Sequence, residues 1–323
     1  MRQPRLGRRV VLIMLLIFAG RAFPANLLVL GHVETAWFQR WAGAARNATT
    51  VTIKSAPSEV GSPASAVLDW ERGDPPPSLS ASATLSELCR NKGIEALVAV
   101  DSKAVDAVVQ GCRLPVLMAG MTRHQTVSLL AQARAKALPV SAVYAEADPS
   151  RNVAVIRALL PQARRIALLV PAIDPAWLPS VRDEARRFDF ELIEIRAGAD
   201  LDGVRALRVY LGRVEAVLLP PDPELINEWS LKPLLLMTVR QGVPVIGGLS
   251  ARHVDAGVLA AAVADENAFL GQARRAAADL ARGRAPAPSY PAAVRVVVNP
   301  TVARTLGLSD EAVERARLLF GRP

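Results

Sequence analysis

The stretch from Val243 to Gly257, VPVIGGLSARHVDAG, gathers more reactive side-chain types than any other. Ser250, Arg252, His253 and Asp255 follow a Gly247-Gly248 pair at the end of a short apolar run. Glycines after a strand can cradle a phosphate, and Ser, His and Asp are the residue types of a hydrolase triad. Both readings fail on spacing. A G-x-S-x-G elbow needs a small residue where Arg252 stands. Triad members converge from separate loops, whereas Ser250, His253 and Asp255 lie within one turn of chain. No strand-like run is followed by G-x-G-x-x-G, and no P-loop is present. The carboxylates scatter over helix faces and form no pair suited to glycoside chemistry. His32, His124 and His253 share no ligand spacing with Cys89 and Cys112, so no metal is expected. No cofactor is expected either, and the chain does not read as an enzyme.

The rest of the chain sets what could position such residues. It has 323 residues, 51% hydrophobic and 21% charged, enough for two domains with their own cores. Arg2, Arg5, Arg8 and Arg9 precede an apolar run, Val10–Gly20, and then the small residues of RAFPA. That order is a secretory signal, residues 1–25, with cleavage near 22 or 25; the run is too short to span a bilayer. The Arg8-Arg9 pair leaves Sec and twin-arginine export both open, and no Cys near the cleavage region offers a lipid anchor. Removing the segment takes five arginines and no acids, so the formal charge falls from +9 to +4. The remaining basic residues are mixed with acids and form no stripe interleaved with aromatics, which argues against a nucleic-acid partner. Cys89 and Cys112 stand at the ends of successive helices, just before strands on one sheet edge; in an oxidising compartment they form a disulfide, or else two buried thiols.

Short apolar runs alternate with helical segments along the mature chain. Strands are expected at 26–32, 49–55, 95–100, 114–120 and 139–144, with 56–78 mostly irregular because of its Pro, Ser and Gly content. The pattern restarts with Asp148 and Pro149 opening a helix. Strands follow at 164–171, 190–196, 214–221 and 243–248, then 257–265, a helix from Asp265 to Gly283, and a strand at 294–299. Tandem strand–helix alternation predicts an α/β fold of two doubly wound, Rossmann-like lobes with parallel sheets.

The segments AVLLPPDPELIN, VPVIGGLSARHVDAGVLAAAVADENAFLGQARRAAADLARGRAPA and VVVNPTVARTLGL resemble the second half of ABC-transporter substrate-binding proteins of the type I periplasmic-binding fold, in their uncharacterised, TrpX-like branch. The resemblance covers about 140–310. Residues 26–140 match less well, since 56–78 replace a longer Gly-rich segment of the family, although VDSKAVDAVV resembles its strand-to-helix turn. The resemblance implies a monomer of two lobes joined by three crossovers. Lobe one would be 26–141 plus 256–287, and lobe two 142–255 plus 288–323. A small solute, with amino acids among the candidates, would sit between the lobes and be delivered in the periplasm to an inner-membrane ABC permease. A periplasmic sensor with a degenerate cleft uses the same fold and stands as the alternative. A LacI-like regulator shares the core but needs a helix-turn-helix where the signal segment lies.

In open α/β sheets ligands lie at the carboxyl ends of the strands. That selects His32, Asp101, Ser102, Gly120, Met121 and Thr122 in lobe one. In lobe two it selects Pro221, Asp222, Gly248 and Ser250, with Tyr144 at the first crossover. The helix starts after Ser102 and Thr122 could receive a carboxylate or phosphate, or simply be capped by those hydroxyls. Asp222 could receive an amine or shape a turn. Gly247 and Gly248 would let the backbone approach a ligand; Ser250 would touch it, and Arg252, His253 and Asp255 would be hinge or surface.

Overall fold

A computed structural model describes residues 27–31, 50–54, 67–72, 89–90, 94–172, 175–199 and 201–321. The signal segment and His32 lie outside the described residues. Among these residues no helix is long and apolar enough to cross a membrane.

Lobe one is built on a six-stranded sheet. Its strands are β1 (Leu27–Gly31), β2 (Thr50–Lys54), β3 (Val67–Arg72), β4 (Ala96–Ala99), β5 (Val116–Ala119) and β6 (Val140–Val143), in the order β3-β2-β1-β4-β5-β6. All neighbours are parallel except β3, which runs antiparallel to β2. Within 56–78, expected to be mostly irregular, VLDWER forms the edge strand β3; the rest of that stretch lies outside the described residues. β4 and β5 are buried at every position because helices cover both faces. Leu97, Ala99, Val116 and Met118 face α1 (Ser102–Gly111) and α2 (Arg123–Ala135) in one apolar cluster. The alternate residues Val98, Leu117 and Val143 face another. Cys89 and Cys112 are joined in a disulfide with their Cα atoms 5.3 Å apart, tying the segment before β4 to the end of α1.

Lobe two repeats the plan. After the first crossover come α3 (Ser150–Leu159), β7 (Arg165–Pro171), α4 (Leu178–Arg187), β8 (Glu191–Ala197), α5 (Leu201–Arg208), β9 (Ala216–Leu219), α6 (Glu228–Arg240), β10 (Val245–Gly247) and α7 (Ala251–Asp255). The chain ends in β11 (Ala260–Ala264), α8 (Glu266–Ala281), β12 (Val294–Val298), α9 (Pro300–Thr305) and α10 (Asp310–Arg317). The sheet order is β12-β11-β10-β9-β7-β8, parallel except for β12 against β11. Ile166, Leu168 and Val170 of β7 turn to one core and Ala167 and Leu169 to the other, as a strand covered on both faces requires.

The second sheet takes β11, where the sequence reading put residues 256–287 with lobe one. β11 pairs with β10 at Ile246↔Ala260 and with β12 over five residue pairs. Only the helix of that segment goes to lobe one: Phe269, Leu270, Ala273, Ala277 and Leu280 of α8 pack on Val98, Leu117 and Val143. The chain therefore changes lobe at Asp265, between β11 and α8. The other crossings lie at 144–147 and 289–293. They are laced by bridges Val143↔Ser289 and Glu146↔Val263, and Gln272 of α8 bonds Ser289 Oγ and the Tyr290 carbonyl.

Candidate functional site

Every long helix that follows a parallel strand begins at the carboxyl edge of its sheet, so helix N-termini and strand ends line one crevice. The local sequence fills many of those N-termini itself. Asp101 accepts the Ala104 N–H at 2.8 Å, so it caps α1, and Ser102 stands exposed in the first turn. Thr122 and Gln125 form a reciprocal capping box on α2. The Arg123 N–H, one of the donors suggested for an anionic ligand, is taken at 2.8 Å by Oε1 of Glu146. Gly120, at φ 88°, turns the chain out of β5, and the carbonyl of buried Met121 accepts the Ala145 N–H.

In lobe two, Pro221 and Asp222 are both buried. Asp222 Oδ1 accepts the Glu224 N–H at 2.9 Å, so its carboxylate shapes the turn into the loop before α6. At Gly248 the group that comes close is a side chain of the chain itself. At φ 101° a Cβ there would lie 2.3 Å from His253 Nδ1, and one on Gly247 would lie 2.9 Å from the Leu219 carbonyl oxygen. The space over this turn belongs to His253, whose Nδ1 accepts the Leu249 N–H at 3.0 Å. Burial holds the imidazole below its ordinary pKa, so it is neutral with the proton on Nε2. Among the described residues neither Ser250 nor Asp255 hydrogen-bonds that imidazole, and no three His, Cys, Asp or Glu side chains gather as a metal site. Ser250 precedes α7 without a side-chain cap bond, so its hydroxyl is free for another partner.

The base of the crevice carries a cluster that the sequence reading only half found. Tyr144 is buried, with its ring edge-on to Tyr290 of the third crossover at 5.1 Å. The Arg123 guanidinium lies 5.7 Å and 5.8 Å from the two ring centres, and Nη1 donates to Tyr290 Oη at 3.4 Å. Burial pushes both phenols above their ordinary range. Burial also works against the Arg123 charge, but the Tyr290 hydroxyl and the acidic neighbours hold that guanidinium above its usual value. Glu146 lies beside them, 2% exposed. Its Oε2 is buried without a hydrogen-bond partner. Burial raises its carboxyl to about 7, opposed by the Arg123 N–H, by its own backbone N–H and then by the Arg123 charge. Arg123, Glu146 and Tyr290 were missed because no motif marks them. The one local sign is a Glu set among alanines directly after a buried strand, in AVYAEA.

At the mouth the lobes meet directly. His124 Nε2 of α2 lies 3.5 Å from Glu224 Oε1, in the loop after β9, with both side chains largely exposed. A cavity of about 510 Å³ lies elsewhere, between α5 and α6. Arg208 and Arg240 at its rim stand in the last turns of their helices, where a cation offsets the C-terminal dipole.

No family model matches the chain, and no curated protein does. Solved structures do. An ABC domain in complex with L-Trp from Streptococcus pneumonia is 14% identical with a TM-score of 0.54, over 90% of this chain and 98% of that one. A ligand-free, open substrate-binding protein with adhesive properties from Clostridium difficile is 12% identical with a TM-score of 0.58, over 88% and 95%. A conserved domain protein from Vibrio cholerae is 16% identical with a TM-score of 0.53, over 90% and 98%. At such identities the likeness carries the fold: two Rossmann-like lobes of the type I periplasmic-binding architecture.

Proposed function

We propose that the chain is an exported solute-binding protein that closes its two lobes on a small molecule and hands it to an inner-membrane ABC permease. The observation that carries this reading is the arrangement of the crevice. Two sheets turn their carboxyl edges to it, and three crossovers at its base are laced by bridges Val143↔Ser289 and Glu146↔Val263, a construction suited to hinge closure. Ser102 and Thr122 on one lip and Ser250 on the other would contact the solute, with Tyr144 near the floor; Asp101, Gly120, Met121, Pro221, Asp222 and Gly248 would shape the walls. The Streptococcus protein's complex with L-Trp puts amino acids among the solutes to try first. A degenerate-cleft sensor is the second reading, favoured by one observation: the α1 and α2 N-termini are already engaged by Asp101, Thr122 and Glu146.

Thermal unfolding of the purified mature chain against amino acids, sugars, purines and small organic acids separates the two. A solute bound at a hundred times its Kd adds about 2.7 kcal/mol, several degrees in melting temperature for a chain of this size. No shift with any of these solutes at millimolar concentration sides with the sensor.

A further inference from the structure

Glu146 joins the two lobes through different parts of one residue. Its carboxylate bonds the first turn of α2 in lobe one, while its backbone bridges Val263 of β11 in lobe two. A change in the angle between the lobes therefore bears on this one residue, whose two contacts belong to different lobes. The contact to α2 is unusual in leaving Oε2 buried with no donor. Such an oxygen is costly while charged and much less so once protonated.

The groups around it are few. Arg123 faces it from α2, Tyr144 from its own crossover and Tyr290 from the third. Arg134 acts on Tyr144 and Asp148 on Tyr290. On the second crossover Asp265 accepts the Ala268 N–H of α8, and His124 on α2 is directed to Glu224. Arg123 is the cation in this group that favours a charged Glu146, and its guanidinium is bonded to Tyr290 Oη.

We propose that Glu146 is a proton-operated lock on the hinge: protonated, it holds the first crossover against α2 and keeps the lobes together; deprotonated, it favours their opening and its own exposure to water. The proposal rests on the two-lobe motion inferred above and deepens it by adding a regulator. The competition between burial and the charge-assisted bond from Arg123 is won by burial, since the carboxyl stands near 7 against an ordinary 4.5. Where the buried form keeps a proton that the exposed form gives up, lower pH favours the buried form. The lock is fully set below about 4.5 and is lost as pH rises through about 7.

Spin labels on Val127→Cys of α2 and Trp229→Cys of α6, both exposed positions in different lobes, report the separation by pulsed electron resonance. The native cysteines are already paired and stay unlabelled. The expected result is a shift to longer distances between pH 5.5 and pH 8, absent in the same protein carrying Glu146→Gln. A distance distribution that does not change with pH overturns the lock, whether or not Glu146→Gln folds. So does a Glu146→Gln protein that shifts as the parent does. A pool of L-amino acids and ribose at pH 5.5 is the companion arm. A response to the pool without a response to pH leaves the binding reading standing and sinks the lock; a response to pH, abolished by Glu146→Gln, upholds the lock even if the pool does nothing.

Discussion

Gly248 has no room for a side chain because the His253 imidazole lies over it. Replacing Gly248 by Ala adds strain at φ 101° to a collision with His253 Nδ1. We expect a loss of about 3 kcal/mol in denaturant unfolding, and only about half of it when His253→Ala removes the collision and leaves the backbone strain. Equal losses in both backgrounds would mean that the imidazole is not what excludes the methyl group. Glu146 makes a second prediction at this scale. Its raised carboxyl lets the folded chain hold a proton that the unfolded chain releases between about pH 4.5 and pH 7, so stability falls as pH rises across that window. The loss is at most about 3 kcal/mol. The difference in melting temperature between the parent and Glu146→Gln should therefore change as pH rises from about 4.5 to 7, the parent losing stability that the uncharged variant keeps; a difference that stays constant with pH would show that Glu146 does not titrate in this window. Neither residue's role was readable beforehand. Glycine after a strand suits ligand approach and side-chain stacking alike, and burial of a lone Glu depends on three crossovers that meet only in the fold.

At the scale of elements, the alternation of short apolar runs and helices was enough to place β4 to β12 and the helices between them, because each strand covered on both faces must be apolar throughout. The membership of β11 was not legible. Its sequence, AAAVA, fits any sheet interior equally well, and the choice is made by β12, which pairs with it antiparallel, and by the crossing at Asp265. α8 then covers lobe one although it follows a strand of lobe two. Phe269, fully buried against β4 and β5, tests that assignment. Phe269→Ala should cost about 4 kcal/mol. Hydrogen exchange should quicken first in the amides of β4, β5 and β6, with β7 and β9 following only at global unfolding. The disulfide acts on the same lobe. By closing a loop of sequence separation 23 it should contribute about 3 kcal/mol, so reduction should lower the melting temperature by several degrees. An unchanged melting temperature after complete reduction would show that the unfolded chain gains no freedom there.

For the molecule as a whole, the relation of the lobes is set at two places of opposite character. The base is buried at Tyr144 and Glu146 and laced by backbone bridges, which puts the axis of the proposed closure there. The mouth is exposed, and there His124 Nε2 lies 3.5 Å from Glu224 Oε1, an ion pair when the imidazole carries a proton. Exposed pairs are worth at most about 1 kcal/mol and weaken with salt, so the mouth can bias opening without preventing it. His124→Glu sets two carboxylates against each other at this contact, a repulsion of at most about 1 kcal/mol. Its expected effect is a shift of the lobe-to-lobe distance toward longer values at low ionic strength, with the open population rising about twofold to fivefold. That shift should largely vanish at 0.5 M salt, where the screening length is only a few ångströms. A shift that persists at high salt would be steric in origin. Because the change lies at the mouth, it should leave the pH response of the base intact, and a His124→Glu protein that lost it would show that the two ends of the crevice are coupled more tightly than a simple hinge allows.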